Sequence, residues 1–252
     1  GNLNYVYIVS GANSINGSNT LVVKQALPYV RCVGENWPLT LERANYEASA
    51  LREEFKLCPE HVPKVYHFDE SKALIIMRYI EPPHLILRKV LMRSERNANF
   101  IPHLATFMAK TIVGTSSITL SAEELRINVA KWSQNSAMCA LTEQVIFTDP
   151  YYKAEFNHHE AFSPELDDVI RSICTDISLK AAVSNMKQIF MTKTQCLLHG
   201  DLHTGSVMVS PTSTYVIDPE FAFYGPVGFD LGLLLANLLL SYASHSSMML
   251  SS

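Results

Sequence analysis

Two acidic segments in the second half of the chain have the residue types and spacing that phosphoryl transfer requires. One reads His-Gly-Asp-Leu-His at 199–203 with Asp201 at its centre, and the other reads Ile-Asp-Pro-Glu at 217–220, which contains Asp218 and Glu220. Each follows a short apolar run that predicts a strand. In phosphoryl transfer one carboxylate orients the attacking hydroxyl and accepts its proton, while another holds the Mg²⁺ that neutralises phosphate charge. The pair of segments therefore predicts magnesium-dependent phosphoryl transfer to a hydroxyl compound.

A lysine and a glutamate upstream would complete the set. Lys24 ends the strand-like run Leu-Val-Val-Lys at 21–24, a position from which a lysine contacts the α- and β-phosphates of ATP. Glu47 lies on the next predicted helix and is the natural ion-pair partner of Lys24. Each feature alone has little specificity, since Glu47 is also typical of a solvated helix charge. Their order along the chain, followed by Gly-Phe-Asp at 228–230, favours a kinase.

A metal cluster is the alternative interpretation of the histidines. His199 and His203 with Asp201 could ligate a metal, but a metalloenzyme normally shows a further strong ligand in a similar local motif. The five cysteines include no Cys-x-x-Cys pair, which disfavours zinc and indicates reduced thiols in a cytosol-like compartment.

Composition excludes several classes of protein. The chain has 252 residues, a formal net charge of −4 and 48% hydrophobic residues, which are typical of a folded chain forming one domain or two lobes. It has no run of Lys or Arg, so neither nucleic acid nor an anionic membrane is an expected partner. No secretory signal is visible at the start. The apolar stretch 221–243 is interrupted by Asp230, so 231–240 predicts a buried helix rather than a membrane span.

The elements that would position these residues change in character near residue 80. Hydrophobic alternation and turn residues predict the order β-β-α-β-β for the first part: strands at 5–9 and 21–24 around a loop at 11–19, a helix at 41–55, and strands at 62–68 and 73–77. The second part is mainly helical, with a strand pair between helices: helices at 96–118, 121–147, 165–193 and 229–243, and strands at 207–209 and 215–218. The predicted fold class is α+β.

The sequence resembles the methylthioribose kinase family in its plant form, within the aminoglycoside phosphotransferase and choline kinase branch of the protein-kinase-like fold. The resemblance covers nearly the whole chain, and its most specific segments are 1–4, 24–29, 34–40, 199–207 and 217–226. It implies a two-lobed fold with an N-lobe at 1–80 and a C-lobe at 81–252. It further implies transfer of the γ-phosphoryl group of ATP to O1 of S-methyl-5-thioribose, a step of methionine salvage, in a cytoplasmic homodimer.

The resemblance also implies roles for particular residues in nucleotide binding. Asn2 would belong to the glycine-rich phosphate loop, and Lys24, supported by Glu47, would contact phosphates. The backbone of Arg78, Tyr79 and Ile80 would receive adenine.

Near the reacting groups, Asp201 would be the catalytic residue and would also touch the sugar hydroxyl. Asp218 and Glu220, on either side of Pro219, would hold Mg²⁺ beside the nucleotide. Trp37 would lie near the substrate, although a buried anchoring role is equally open. Asp230 would brace the catalytic loop through backbone amides. Ser206 stands where aminoglycoside kinases have a magnesium-binding Asn, which assigns metal binding to Glu220.

Alternatives remain at the level of the reaction. The phosphate loop begins at Gly1 and the chain ends soon after the helix at 229–243, so the resemblance implies that both lobes are incomplete. A kinase for another small alcohol, such as an aminoglycoside, choline or homoserine, is one alternative. A truncated, inactive homologue that at most binds nucleotide, and is unstable alone, is the other.

Overall fold

The computed structural model describes residues 3–15, 18–31, 34–95, 99–155, 157 and 164–249. The strands are β1 (Asn4–Ile15), β2 (Ser18–Ala26), β3 (Tyr29–Val30), β4 (Gly34–Pro38), β5 (Val65–Asp69), β6 (Leu74–Arg78), β7 (Leu85–Ile86), β8 (Cys196–Leu198), β9 (Val207–Val209), β10 (Thr214–Val216) and β11 (Phe223–Gly225). The helices are α1 (Arg43–Leu57), α2 (Leu87–Met92), α3 (Phe100–Thr115), α4 (Ala122–Trp132), α5 (Ser136–Phe147), α6 (Asp167–Thr175), α7 (Ile177–Thr192) and α8 (Gly228–Met249). Short 3₁₀ turns occupy Glu70–Lys72 and Asp149–Tyr151. The predicted α+β class, with a sheet-rich first part and a mainly helical second part, is confirmed.

An antiparallel four-stranded sheet dominates the first part, in the order β1-β2-β6-β5. The predicted loop at 11–19 is wrong, because β1 continues to Ile15 and β2 begins at Ser18. The register shifts between Ser10 and Ile15, so β1 has extra residues relative to β2 between these two paired positions, as in a β-bulge. The small hairpin of β3 and β4 was not predicted.

Two predicted helices are each broken into two. The helix predicted at 121–147 is interrupted at Asn135, between α4 and α5, and the one predicted at 165–193 is interrupted at Asp176. The Asp176 carboxylate accepts a hydrogen bond from the backbone N–H of Leu179 (2.9 Å), which starts α7 as an N-cap. Helix α2 was not predicted.

One buried cluster connects the sheet with the strands that carry the acidic segments. It includes Leu51 of α1, Ile75 of β6, Val207 of β9 and Val216 of β10. Burial of such side chains contributes about 1.5–3 kcal/mol each, so the acidic segments rest on the same core as the sheet. The boundary at residue 80 stays a prediction.

Helix α8 is less buried than the sequence predicts. Leu234 is buried, whereas Leu231 and Leu235 are exposed, because α8 packs on one side only in the described chain. No helix among the described residues is both long and apolar enough to cross a bilayer.

Candidate active site

The loop after β8 carries Asp201 and is held by a buried carboxylate at the start of α8. Asp230 accepts hydrogen bonds from the backbone N–H groups of His199 (2.8 Å) and Gly200 (3.1 Å). The predicted bracing contact is therefore present. Burial raises the pKa of the Asp230 carboxyl to about 7, while these hydrogen bonds oppose the shift.

Gly200 allows this loop to pass close to the second acidic segment. Its φ is +82°, and a Cβ at this position would lie 2.1 Å from the carbonyl oxygen of Phe221. Only glycine adopts such a conformation routinely, and no side chain fits against that carbonyl. The close approach of the two acidic segments thus depends on the absence of a side chain at position 200.

His199 connects the two segments directly. Its Nε2 lies 2.9 Å from the carbonyl oxygen of Ile217, and its Nδ1 accepts the backbone N–H of Asp201 (3.2 Å). This pattern places the proton of a neutral imidazole on Nε2. Burial lowers the pKa of His199 to about 4, so the ring stays neutral and acts as a fixed structural link.

Asp201 lies on the loop after β8, where its carboxylate is partly accessible to solvent. Its side chain is 39% exposed, and its backbone carbonyl accepts a hydrogen bond from the Ser206 hydroxyl (3.0 Å). Ser206 is therefore engaged within the loop. Burial of the loop, together with Asp218, raises the pKa of the Asp201 carboxyl. A carboxylate that is accessible and has a raised pKa is suited to accept a proton.

Three carboxylates converge after β10. Oxygen atoms of Glu47, Asp218 and Glu220 all lie within 4.8 Å of one another. Asp218 has a φ of +73°, a left-handed conformation that is uncommon outside glycine and often found at functional sites. The predicted pair of Asp218 and Glu220 thus gains Glu47 as a third member.

Lys24 lies at the centre of these carboxylates. Its Nζ is 2.7 Å from the Glu47 carboxylate and also contacts Asp218. Burial opposes the charged ammonium, but Asp218 and Glu47 outweigh it and hold the pKa of Lys24 above its usual value. Desolvation likewise opposes ionisation of Asp218, yet Lys24 lowers the pKa of that carboxyl below its ordinary value.

Arg43 is the main site residue that the sequence analysis missed. It is fully buried, and its Nε donates to Glu220 Oε2 (3.1 Å). The remaining guanidinium N–H groups donate to the backbone oxygens of Leu27 (2.8 Å), Thr40 (2.6 Å) and Leu3 (3.3 Å) and to Asn4 Oδ1 (2.8 Å). Arg43 precedes Glu47 by four residues, so both side chains lie on one face of α1. That spacing is the signal that could have identified it.

Two asparagines complete the surroundings of Glu220. Asn4 Nδ2 donates to Glu220 Oε2 (3.0 Å). Asn135, at the break between α4 and α5, donates from Nδ2 to the backbone oxygens of Glu220 (3.1 Å) and Ala222 (2.9 Å). Glu220 is therefore fixed through both its side chain and its backbone.

The other residues predicted to bind nucleotide lie away from the carboxylate cluster or make only backbone contacts. Arg78 ends β6, and Tyr79 and Ile80 follow it. Because Ile75 of β6 is paired with Lys24, this segment begins about 10 Å along the strand from the level of Lys24. Pro219 begins a turn in which its carbonyl accepts the N–H of Ala222 (3.2 Å). Asn2 lies outside the described residues.

Trp37 belongs to a separate apolar cluster. It lies on β4, where it is partly buried and packs with Val30, Leu39 and Met138. Phe221, which follows Glu220, joins the same cluster. Trp37 is therefore placed as an apolar anchor, in a cluster that also includes the residue directly after the acidic segment.

The charges of the buried cluster do not cancel. Two cations, Lys24 and Arg43, face three carboxylates. Burial raises the pKa of the Glu47 carboxyl to about 8 and also raises that of Glu220, while Lys24 opposes both shifts. A bound cation would favour the ionised form of all three carboxylates, and oxygen ligands of this kind are those that Mg²⁺ prefers. The residues present therefore fit a divalent cation bound with an anionic phosphate.

Comparisons with known proteins identify similar sequences. The model of the phosphotransferase enzyme family matches residues 1–242. The chain is 52% identical over 245 residues to methylthioribose kinase 1 of Oryza sativa subsp. japonica, which covers 97% of this chain and 55% of the relative. It is 44% identical over 246 residues to a methylthioribose kinase of Escherichia coli, which covers 97% and 57%. The chain thus spans a little over half the length of these relatives.

A solved structure of the GDP and kanamycin complex of APH(2″)-IIia is also similar. The TM-score is 0.48 with 16% sequence identity, over 98% of this chain and 74% of that chain.

Proposed function

We propose, from the premise that this chain belongs to the phosphotransferase enzyme family, that it supplies the ATP site and the catalytic loop of a methylthioribose kinase. The reaction is ATP plus S-methyl-5-thioribose to ADP plus S-methyl-5-thioribose 1-phosphate. The observation that carries the proposal is the hydrogen bond between His199 and the Ile217 carbonyl, which links the Asp201 loop to the carboxylate cluster. The similarity to methylthioribose kinases supports the choice of substrate.

Asp201 acts on the acceptor hydroxyl. The O1 hydroxyl of the sugar attacks the γ-phosphorus, the bond between that phosphorus and the β,γ-bridging oxygen breaks, and ADP leaves. Asp201 orients the hydroxyl and accepts its proton, because its carboxylate is accessible and its loop is held by Asp230. A general base of this kind contributes about 10²–10⁴-fold to the rate.

Lys24 binds the phosphates of ATP, and Glu47 holds its ammonium group in place. The backbone of Arg78, Tyr79 and Ile80 receives adenine. Since this segment starts about 10 Å along β6 from the level of Lys24, base and phosphates would lie at different levels of the sheet.

Asp218 and Glu220 would hold Mg²⁺. The ion supplies charge neutralisation for the phosphates when it is bound. Asp218 is the more accessible ligand, with a side chain 43% exposed, whereas Glu220 is buried and fixed by Arg43. Asp218 would therefore be the ligand with more freedom to move, and Glu220 the one already held in place by the protein.

Calorimetric titration with ATP tests these assignments. Asp218→Ala and Glu220→Ala are expected to weaken ATP binding in the presence of Mg²⁺ and to have little effect without it. Lys24→Ala is expected to weaken binding in both conditions, because it removes a direct phosphate contact. Lys89→Ala, at an exposed position of α2, serves as the control. Equal, metal-independent losses for all three variants would show that the carboxylates are structural.

Several expectations from the resemblance stay predictions. They are a homodimer, a cytoplasmic location, a substrate site that includes Trp37, and a phosphate loop that includes Asn2. Size-exclusion chromatography with light scattering checks the first of these directly.

A further inference from the structure

We propose that His203 is a positioning residue for Asp201, and that Arg88 and Gly205 fix its imidazole in the required tautomer. The inference rests on the proposed function, because it assigns a role beside the same catalytic carboxylate. It concerns the second histidine of the segment 199–203 and an arginine on a different element, α2.

Hydrogen bonds to His203 define where its proton lies. Its Nδ1 accepts the backbone N–H of Gly205 (2.8 Å) and lies 3.3 Å from Nη2 of Arg88. Arginine and backbone N–H groups can only donate, so Nδ1 must be the accepting, unprotonated nitrogen. The ring proton is therefore on Nε2.

Nε2 is the ring nitrogen close to the catalytic carboxylate. It lies 3.4 Å from Oδ2 of Asp201, which is longer than an ordinary hydrogen bond, and catalytic contacts of this length often tighten when substrate binds. When this contact tightens, it holds Oδ2 and leaves Oδ1 for the incoming hydroxyl. An imidazole N–H donor thereby fixes the direction of the carboxylate.

The surrounding backbone is arranged for this contact. The backbone N–H of Arg88 donates to the carbonyl of Thr204 (2.9 Å), which fastens α2 to the catalytic loop. A Cβ at Gly205 would lie 2.5 Å from Cε1 and 2.8 Å from Nδ1 of His203. The imidazole thus lies directly over a backbone that must lack a side chain, and Arg88 covers its outer edge.

Amide substitutions separate positioning from simple structural support. The side-chain nitrogen of glutamine replaces Nε2 of histidine, whereas that of asparagine replaces Nδ1. In the intact protein, His203→Gln is expected to keep kcat within about threefold of wild type, while His203→Asn and His203→Ala lower it about 10–100-fold, the effect of a small misplacement of a catalytic group. KM for ATP should not change. His67→Asn, at an exposed position of β5, is the matched control.

The outcomes distinguish the two proposals. Equal kcat values for the Gln, Asn and Ala variants, whether at the wild-type level or below it, would overturn the positioning role. Absence of methylthioribose-dependent ADP release by the wild-type protein would overturn the proposed function instead. In that case the ¹⁵N spectrum of the His203 ring still tests the tautomer. A protonated Nε2 with an unprotonated Nδ1 is expected, and any other protonation pattern of His203 would overturn the positioning role.

Discussion

Replacement of Arg43 by methionine is expected to be among the most destabilising single changes at the site. The guanidinium is fully buried, and its five N–H groups have partners. Methionine keeps most of the apolar volume but removes the charge. The buried Glu220 carboxylate then loses the cation that directly contacts it and, among the described residues, keeps the Asn4 amide as its side-chain hydrogen-bond donor. Removing one partner of a buried ion pair costs about 3–5 kcal/mol. That is a large part of the 5–15 kcal/mol that stabilises a typical domain.

Urea unfolding followed by circular dichroism measures this change. Arg52→Met, on the exposed face of α1, is the control and should change the free energy of unfolding by less than about 0.5 kcal/mol. Glu220→Gln completes a double-mutant cycle. The double variant should be about 1–3 kcal/mol more stable than the sum of the single effects, because it leaves no unpaired charge. A loss below about 1 kcal/mol for Arg43→Met, or an additive cycle, would refute the assigned ion pair.

Three further changes test the catalytic loop. Asp201→Asn should lower kcat at least about 10²-fold with little change in ATP affinity. A variant that keeps more than about a tenth of the wild-type kcat would contradict the role of Asp201 as the catalytic base. The pKa of about 4 for His199, against an ordinary 6.5, means that between these pH values the unfolded chain binds a proton at this residue that the folded chain does not. As the pH falls through this window, the wild type should lose about 3 kcal/mol of stability relative to His199→Gln. The comparison with the variant is needed because the raised pKa values of Asp230 and Glu47 act in the opposite direction. Parallel curves for the wild type and His199→Gln would contradict the burial of His199. Gly200→Ala should destabilise the protein by more than about 1–2 kcal/mol, because position 200 has a positive φ and an added Cβ would meet the Phe221 carbonyl. The control is Gly232→Ala on α8, where an added Cβ meets nothing within 4 Å, and it should be neutral or stabilising. Equal melting temperatures for the two variants would argue against the close approach of Gly200 to the Phe221 carbonyl.

The sequence predicts the chemistry of the site better than its supporting contacts. The acidic segments, Lys24 and Glu47 belong to an ordered pattern, and the structure brings Lys24 within 2.7 Å of Glu47. Asp230 also makes its expected contacts. Such residues are recognisable because the proposed reaction restricts both their type and their order.

The supporting residues carry no comparable signal. A buried Arg43 looks in sequence like any charge on a helix, and its carboxylate partner, Glu220, lies 177 residues further along the chain. Asn135 and Asp176 interrupt helices that are continuous by periodicity. Asp176 does so as a local N-cap, whereas Asn135 bonds to the distant backbone of Glu220 and Ala222, which its own segment does not indicate. The polar residues at 11–19 predict a loop by composition, but pairing with β2 extends the strand through Ile15.

The most direct test of the account is ADP release by the intact protein with S-methyl-5-thioribose, ATP and Mg²⁺, measured beside its Asp201→Asn variant. The substrate panel also contains choline, homoserine and an aminoglycoside. We expect ADP release that depends on methylthioribose, exceeds the rate with the other alcohols, and is lost in the variant. Release that is equal with and without methylthioribose, or is faster with another alcohol, or persists in Asp201→Asn, would contradict the proposed function.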